Sequence, residues 1–184
     1  MRILSFALLS MCVVHLSACS ASVNVNSTHD RLRDGGTDGP RSRAVHVDIA
    51  EVLDDWHHAA AVGELEPYIG AMTEGAIFLG TDSSERWTRD ELQAYAEKYF
   101  GDGEGWVYVP RDRYIRTNAY GDVAWVDEIL DNEKYGEFRG TAVLRQNGDE
   151  WRIAHYSLTF LVPNDRAKDV VDLIRGGGSM DSGG

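Results

Sequence analysis

The sequence predicts an α+β domain in which helices cover one face of an antiparallel sheet. Four strand-like segments, rich in β-branched and aromatic residues, follow one another between residues 106 and 160. The loops between them are short, so neighbouring strands must pair antiparallel, because parallel neighbours need a long crossover. Segments with helical periodicity precede and follow these strands. Together the three observations indicate one domain with a single sheet and a helical cover.

The first predicted helix begins at Asp48, where Asp48 and Glu51 match a capping box. Gly63 is a suitable residue to end it. Between them, apolar residues recur at helical spacing, which predicts a face turned toward the core. The members of this stripe are Ile49, Val52, Leu53, Trp56, Ala59 and Ala60.

A second short helix, a strand and a third helix are predicted before the sheet. The helix covers residues 65–72, with Pro67 in its first turn, and the strand covers residues 76–79. Thr88 and Glu91 form another capping box, followed by an apolar stripe. That stripe consists of Leu92, Tyr95, Ala96, Tyr99 and Phe100.

The sheet itself is predicted to be a meander of four strands. They cover residues 106–117, 123–131, 138–146 and 151–160. Asn147-Gly148 between the last two strands favours a type I′ hairpin turn. Pro163 then begins a last helix with an apolar stripe.

Composition limits the kinds of partner. The chain has 184 residues and a net charge of −12, which argues against nucleic acid or an anionic membrane surface as a partner. Its five Trp, eight Tyr and five Phe are many for one domain, and either a core or a pocket would explain them. His57 and His58 point about 100° apart on a helix, and no metal-ligand spacing occurs, so neither a metal nor a cofactor is expected.

The N-terminal segment predicts export and anchoring. Residues 3–16 form an apolar run after Met1-Arg2, so residues 1–18 match a secretory signal. Leu16-Ser17-Ala18-Cys19 resembles the bacterial lipobox, which implies a lipidated Cys19, with Ser20 favouring the periplasmic side of the outer membrane. The alternative is an ordinary signal peptide with an incidental cysteine. Cys12 and Cys19 are the only cysteines, so the domain has no disulfide.

The remaining boundaries follow from composition. Residues 19–44 are polar and predicted to be a flexible tether, residues 45–175 form the domain, and residues 176–184 form a disordered tail. A lipidated Cys19 would be the only link between the domain and a membrane.

The order of elements resembles the nuclear transport factor 2-like cone fold, and within it the SnoaL-like group. The segments that carry the resemblance are Trp56-His57 and residues 76–82, 87–92, 125–140 and 151–164. The resemblance implies a curved sheet wrapped around a cavity that helices cap, as in cystatin-like α+β folds, and a homodimer through the sheet. It does not name a function, because this fold hosts isomerases, cyclases, dehydratases and non-catalytic binding modules.

Strand alternation suggests an acid–base pair. Trp151 and Ile153 share a face with His155, and Trp125 shares a face with Asp127. If the tryptophans face the cavity, Asp127 and His155 do as well and could serve as general base and orienter. Alternatively, His155 is a satisfied core residue and Asp127 pairs with an arginine.

Other candidates surround this pair. The resemblance implies a catalytic carboxylate near Gly80, and Asp82 is the closest one, although it could also open a turn. Arg139 could clamp a ligand carboxylate or pair with an acidic neighbour. Candidate pocket walls are Trp56, Phe78, Trp87, Tyr95, Tyr99 and Phe100.

Three functions are therefore open. The first is binding of a small apolar or amphipathic ligand in the cone. The second is a cofactor-free isomerase, cyclase or dehydratase that uses Asp127 and His155, with an open cavity of about 300 Å³ or more. The third is a structural dimerisation module with a filled cone.

Overall fold

Six strands form one sheet, and the helices that precede them pack against one of its faces. The computed structural model describes residues 40–101 and 105–176. The strands are β1 (Met72–Leu79), β2 (Arg86–Thr88), β3 (Val109–Thr117), β4 (Val123–Asn132), β5 (Gly136–Asn147) and β6 (Glu150–Phe160). The helices are α1 (Pro40–Val62), α2 (Leu65–Gly70), α3 (Arg89–Phe100) and α4 (Ala167–Gly176), with a 3₁₀ turn at Asn164–Arg166. The predicted α+β class is confirmed.

The sheet order is β2-β1-β6-β5-β4-β3. The strands β3 to β6 form the predicted antiparallel meander. The last hairpin turns at Gly148-Asp149, one residue later than predicted, because Asn147 still pairs with Glu150, and Gly148 has a φ of 65°. The first strand, β1, pairs parallel with β6 and antiparallel with the short β2. As a result, the last strand of the sequence lies inside the sheet.

The first helix begins earlier than predicted. It starts at Pro40 rather than Asp48, so residues 40–44, which were predicted as part of the tether, are helical. Proline suits the first turn of a helix, and Val45 extends the apolar stripe one turn upstream of Ile49. The signal segment, Cys19, residues 19–39 and residues 177–184 lie outside the described residues. No helix within the described ranges is long and apolar enough to cross a membrane.

The capping box at the start of α3 is confirmed. The Glu91 backbone N–H donates to Thr88 Oγ1 at 3.3 Å, and the Thr88 N–H donates to the Glu91 carboxylate at 2.8 Å. The predicted stripe is only partly buried, since Leu92, Ala96 and Phe100 are in the core while Tyr99 is 37% exposed. Because the cap fixes where α3 begins, it also fixes which face of the helix meets the sheet.

A β-bulge interrupts the alternation of β6. Leu144 pairs with Ile153 and Val143 pairs with His155, so Ala154 has no partner of its own in β5. In a regular strand, residues on the buried face are an even number of positions apart. The buried residues on either side of the bulge, Ile153 and Tyr156, are three positions apart. The bulge therefore turns Tyr156 toward the core and His155 away from it.

The chain returns to the sheet after α3 through a close contact with α1. The Trp106 N–H donates to Ala60 O at 2.7 Å. A Cβ atom at Gly105 would lie 2.0 Å from Ala61 O, so a glycine is needed for this approach. The contact holds Trp106 beside the rings of Tyr68 and Phe100, with centroids 5.8 and 4.8 Å away.

Candidate functional site

A cavity of about 200 Å³ opens between the helices and the sheet. Its walls are mainly aromatic, with polar groups from a few side chains. The eight aromatic residues are Trp56, Tyr68, Phe78, Trp87, Tyr95, Trp106, Tyr108 and Tyr156. The other lining residues are His57, Gly80, Thr81, Glu85, Leu92, Leu130 and Leu158.

The lining rings differ in depth. Trp56, Tyr68 and Tyr156 are at most 3% exposed and form the buried end of the cavity. Their rings contact one another, with centroid distances of 5.0 Å from Trp56 to Tyr68 and 4.5 Å from Trp56 to Tyr156. The rings at the open end, Trp87, Tyr95, Trp106 and Tyr108, are half-buried. The cavity thus has a packed aromatic floor and a partly solvated aromatic rim.

The carboxylate of Glu128 is buried beside the cavity and holds three side chains. His57 Nε2 lies 2.7 Å from Glu128 Oε1, and the Tyr156 hydroxyl donates to the same oxygen at 2.9 Å. Arg113 Nε donates to Oε2 at 2.8 Å. Glu128 is 1% exposed, so these bonds replace nearly all of its hydration. We refer to Glu128, His57, Arg113 and Tyr156 as the buried polar network.

Arg113 connects this network to α1. Its Nη1 donates to Ala50 O and to Asp54 Oδ1, both at 3.0 Å. The side chain is 2% exposed, whereas that of Asp54 is 30% exposed. Burial by itself would lower the pKa of Arg113, but the charges of Glu128 and Asp54 raise it above its ordinary value. Arg113 therefore stays charged and balances Glu128.

The same contacts decide the protonation of Glu128 and Tyr156. Burial acts to raise the pKa of Glu128, but the charges and hydrogen bonds of His57 and Arg113 outweigh it and lower the pKa to about 2. Burial and the Glu128 charge raise the pKa of Tyr156 well above its ordinary value. At neutral pH Glu128 is ionised and can only accept hydrogen bonds, so His57 Nε2 carries a proton.

Gly140 makes room for this arrangement. It is the Cα partner of Glu128 across the β4–β5 ladder. A Cβ atom at Gly140 would lie 2.0 Å from the Tyr156 hydroxyl oxygen and 3.0 Å from Glu128 Cγ. Because both neighbours are buried and hydrogen-bonded, a side chain at residue 140 would displace the network.

One buried donor in the cavity wall has no partner. Trp56 is 3% exposed, and its indole Nε1 makes no hydrogen bond within the described residues. An unpaired buried N–H costs about 1–3 kcal/mol, so such groups are uncommon without a function. A ligand with an acceptor atom would satisfy it.

The rim is completed by the turn after β1. The Gly80 N–H donates to Glu85 O at 2.8 Å, and Asp82 Oδ1 accepts from the Ser84 N–H at 2.8 Å. Glu85 folds back over Gly80, where a Cβ atom would lie 2.2 Å from Glu85 Oε2. The missing side chain at Gly80 thus allows the Glu85 carboxylate to reach the cavity.

The predicted orientation of Asp127 is wrong. Asp127 is exposed and lies with Trp125, which is 48% exposed, on the outer face of β4. The opposite face, with Ala124, Val126, Glu128 and Leu130, packs against the helices. Both faces are similarly apolar in sequence, so the larger tryptophan was a misleading guide.

The predicted orientations of His155 and Arg139 are also wrong. His155 is turned out of the core by the β6 bulge and is the Cα partner of Val143, on the outer face. Arg139 is exposed on β5, where Ile129 and Thr159 are its neighbours across the ladders. None of the three polar candidates on these strands lines the cavity, so the proposed acid–base pair loses its geometric basis.

The remaining candidates divide into two groups. Trp56, Phe78, Trp87 and Tyr95 line the cavity as predicted. Tyr99 and Phe100 do not, and Phe100 instead fills the core against Tyr68. Asp82 is exposed and opens the turn, where the hydrogen bonds from Ser84 lower its pKa.

Within the described residues, no cluster of three His, Cys, Asp or Glu could hold a metal ion.

Sequence reasoning missed the residues of the buried polar network. One signal was available, because Glu128 is a lone acid among Ala124, Val126 and Leu130 on one face of a strand. A second signal was Gly140, a glycine inside an otherwise regular strand, which often marks close approach of another group. Arg113 and His57 gave no separate signal, since their pairing with Glu128 depends on contacts distant in sequence.

We expect the buried polar network to make stability depend on acid pH. The pKa of Glu128 falls from 4.5 to about 2 on folding, so its contribution is full above pH 4.5 and is lost as the pH falls toward 2. Urea unfolding measures the free energy of unfolding at each pH. Between pH 5 and pH 2, this free energy should fall by on the order of 3 kcal/mol more for wild type than for Glu128→Gln.

The matched control is Glu133→Gln, in an exposed turn, which should keep the wild-type pH profile. At pH 7, Glu128→Gln should itself be less stable by about 3 kcal/mol, since it leaves the buried Arg113 with only the partly exposed Asp54 as a charged partner. Parallel profiles for wild type and Glu128→Gln would show that folding does not lower the pKa of Glu128.

Comparison with known proteins agrees with this architecture. A solved domain from Nostoc punctiforme with a cystatin-like fold aligns with a TM-score of 0.60 at 16% identity, covering 72% of this chain and 86% of that chain. A nuclear transport factor 2-like protein from Pseudomonas putida gives 0.56 at 16% identity, covering 67% and 91%. A candidate scytalone dehydratase from Novosphingobium aromaticivorans gives 0.56 at 12% identity, covering 66% and 87%.

At these identities the similarity concerns the fold alone. No curated protein matches the chain. The model of the SnoaL-like domain family matches residues 49–163, which include α1 from Ile49 onward, the whole sheet and every residue of the buried polar network. The chain has the fold of nuclear transport factor 2-like proteins and belongs to the SnoaL-like domain family.

Proposed function

We propose that the cone cavity binds a small apolar or amphipathic molecule. The observation that carries the proposal is an open cavity of about 200 Å³ with eight aromatic lining residues, one of which, Trp56, has an unpaired Nε1. An apolar body would pack against the rings, and an acceptor atom would satisfy the indole N–H. Binding sites of this kind combine apolar walls with a few fixed polar groups.

The size of the cavity limits the ligand. About 200 Å³ is below the roughly 300 Å³ or more expected for a ligand pocket of either a binder or an enzyme, and slightly above the roughly 150 Å³ that accommodates benzene in a protein core. The cavity is therefore the right size for a molecule with one ring and a short substituent. A filled cone, as in the structural hypothesis, is less consistent with an open volume of this size.

Ligand binding is tested on protein purified from its own host. Native mass spectrometry followed by denaturing extraction should detect a co-purifying small molecule. Isothermal titration with 4-tert-butylphenol and phenyltrimethylammonium should show that at least one of them binds, because both match the cavity in size. Thr81→Phe should abolish binding, since Thr81 lines the cavity.

Ser83→Phe is the matched control, because Ser83 is exposed in the same turn and does not line the cavity. It should bind as wild type does. An empty protein that binds neither probe would contradict the proposal.

A second candidate function is acid–base catalysis without a cofactor. The specific observation is the 2.7 Å contact between His57 Nε2 and Glu128, with His57 lining the cavity. An ionised carboxylate at Nε2 fixes the tautomer, so in the neutral ring Nδ1 is the nitrogen that can accept a proton. His57 would be the base and Glu128 its orienter. The similarity to a candidate dehydratase is consistent with such chemistry.

Proton exchange at the α-carbon of phenylacetone in D₂O, followed by NMR, tests this function. Wild type should accelerate the exchange, and His57→Gln should lower the rate about 10²-fold or more. His58→Gln is the matched control, because His58 is the exposed neighbour on the same helix, and His155→Gln tests the residue favoured by sequence. If His57→Gln exchanges as fast as wild type, His57 is not the base.

We also propose that the domain is attached to the bacterial envelope through Cys19, on the periplasmic side of the outer membrane. The support is the sequence Leu16-Ser17-Ala18-Cys19 directly after an apolar run. With Cys19 lipidated, wild type should enter the detergent phase in a detergent-partition assay, whereas Cys19→Ala should stay in the aqueous phase. Cys12→Ala is the control that keeps the anchor. Equal partitioning of wild type and Cys19→Ala would exclude lipidation there.

The homodimer stays a prediction. The outer face of the sheet is its proposed site, and the half-exposed Trp125 on that face is consistent with a partner.

A further inference from the structure

Glu85 is an acidic residue at the cavity, and none of the described residues is a basic partner for it. It is partly buried, and its Oε2 accepts from the Asp82 N–H at 3.1 Å. No Lys, Arg or His within the described residues pairs with its carboxylate. A carboxylate that has lost part of its hydration without gaining a cation is poorly compensated, so a cation beside it would be stabilised.

The surroundings of Glu85 favour a cation as well. Glu85 and Tyr108 both line the cavity. Burial is the main cause that raises the pKa of the Tyr108 hydroxyl, and the charge of Glu85 raises it further. Trp87, Tyr95 and Trp106 complete the half-buried rim. The electron-rich faces of aromatic rings attract ammonium groups, and several rings around one site form the usual cage for a quaternary ammonium.

The cavity lining contains no lysine or arginine among the described residues. The buried guanidinium of Arg113 is already engaged by Glu128 and Asp54. The chain as a whole carries a net charge of −12, which raises the local concentration of cations. The basic side chain in the described lining is His57, which Glu128 already holds, so an anionic ligand would be poorly balanced beside Glu85 and a neutral one would leave Glu85 uncompensated.

We propose that the ligand of the cone is a small organic cation, an ammonium attached to an apolar body, with the ammonium at the rim beside Glu85. This inference rests on the proposed function and narrows it to one ligand class. The apolar body occupies the aromatic floor, and any acceptor atom on it meets Trp56 Nε1. Glu85 thereby sets the specificity of the cavity.

The test compares two probes of the same shape. Phenyltrimethylammonium and tert-butylbenzene differ only in having a charged nitrogen or a neutral carbon at the centre of the trimethyl group. By calorimetric titration of the full chain, the cation should bind at least about tenfold more tightly than the neutral isostere. Glu85→Gln keeps an oxygen for the Asp82 N–H, and it should reduce this preference to about one third or less.

Glu133→Gln removes an exposed acid elsewhere and should keep the wild-type preference. If tert-butylbenzene binds as tightly as the cation, the cavity is a binding site but the cation inference is wrong. If the preference is the same in Glu85→Gln as in wild type, Glu85 does not set it. If neither probe binds but 4-tert-butylphenol does, the cation inference is wrong and the proposed function stands; if none of the three binds, both fail.

Discussion

The buried carboxylate of Glu128 is the constraint on which the rest of the structure depends. An ionised carboxylate in a protein interior is tolerated only when hydrogen bonds and opposite charge replace water. Here those partners come from α1, β3 and β6, while Glu128 itself comes from β4. Four elements must therefore meet at one point. Arg113 also donates to Ala50 and Asp54, so the part of α1 that precedes His57 must lie at the same point.

This constraint also shapes the cavity. His57 and Trp56 are neighbours on α1, so the contact that fixes His57 fixes the position of the indole beside it. Tyr156 is held by its hydroxyl, which leaves its ring to pack against Trp56 and Phe78. The polar interaction and the aromatic floor are thus built from the same residues. A change at Gly140 would disturb both, because its neighbours are Tyr156 and Glu128.

The sequence was sufficient for the fold because the signals for it are local. The capping box at Thr88 and the hairpin turn at Gly148 depend on neighbouring residues, and both formed, the turn one residue later than predicted. The site was harder to predict from the sequence. The two faces of β4 are equally apolar, and only long-range packing decides which of them is buried. The bulge at Ala154 reversed the orientation of His155 with no warning in the sequence. The aromatic walls of the cavity were easier to predict, and four of the six predicted wall residues line it.

The position of β6 affects the order in which the domain can fold. This strand is the last of the sheet in sequence, yet it lies between β1 and β5. Until it has been synthesised, β1 with β2 and the β3–β5 meander are separate pieces, each with an unpaired edge that invites wrong association. The parallel β1–β6 pair also joins distant parts of the chain, which slows folding. During synthesis, therefore, Glu128 must remain in water until Tyr156 arrives and the two halves of the sheet close around it.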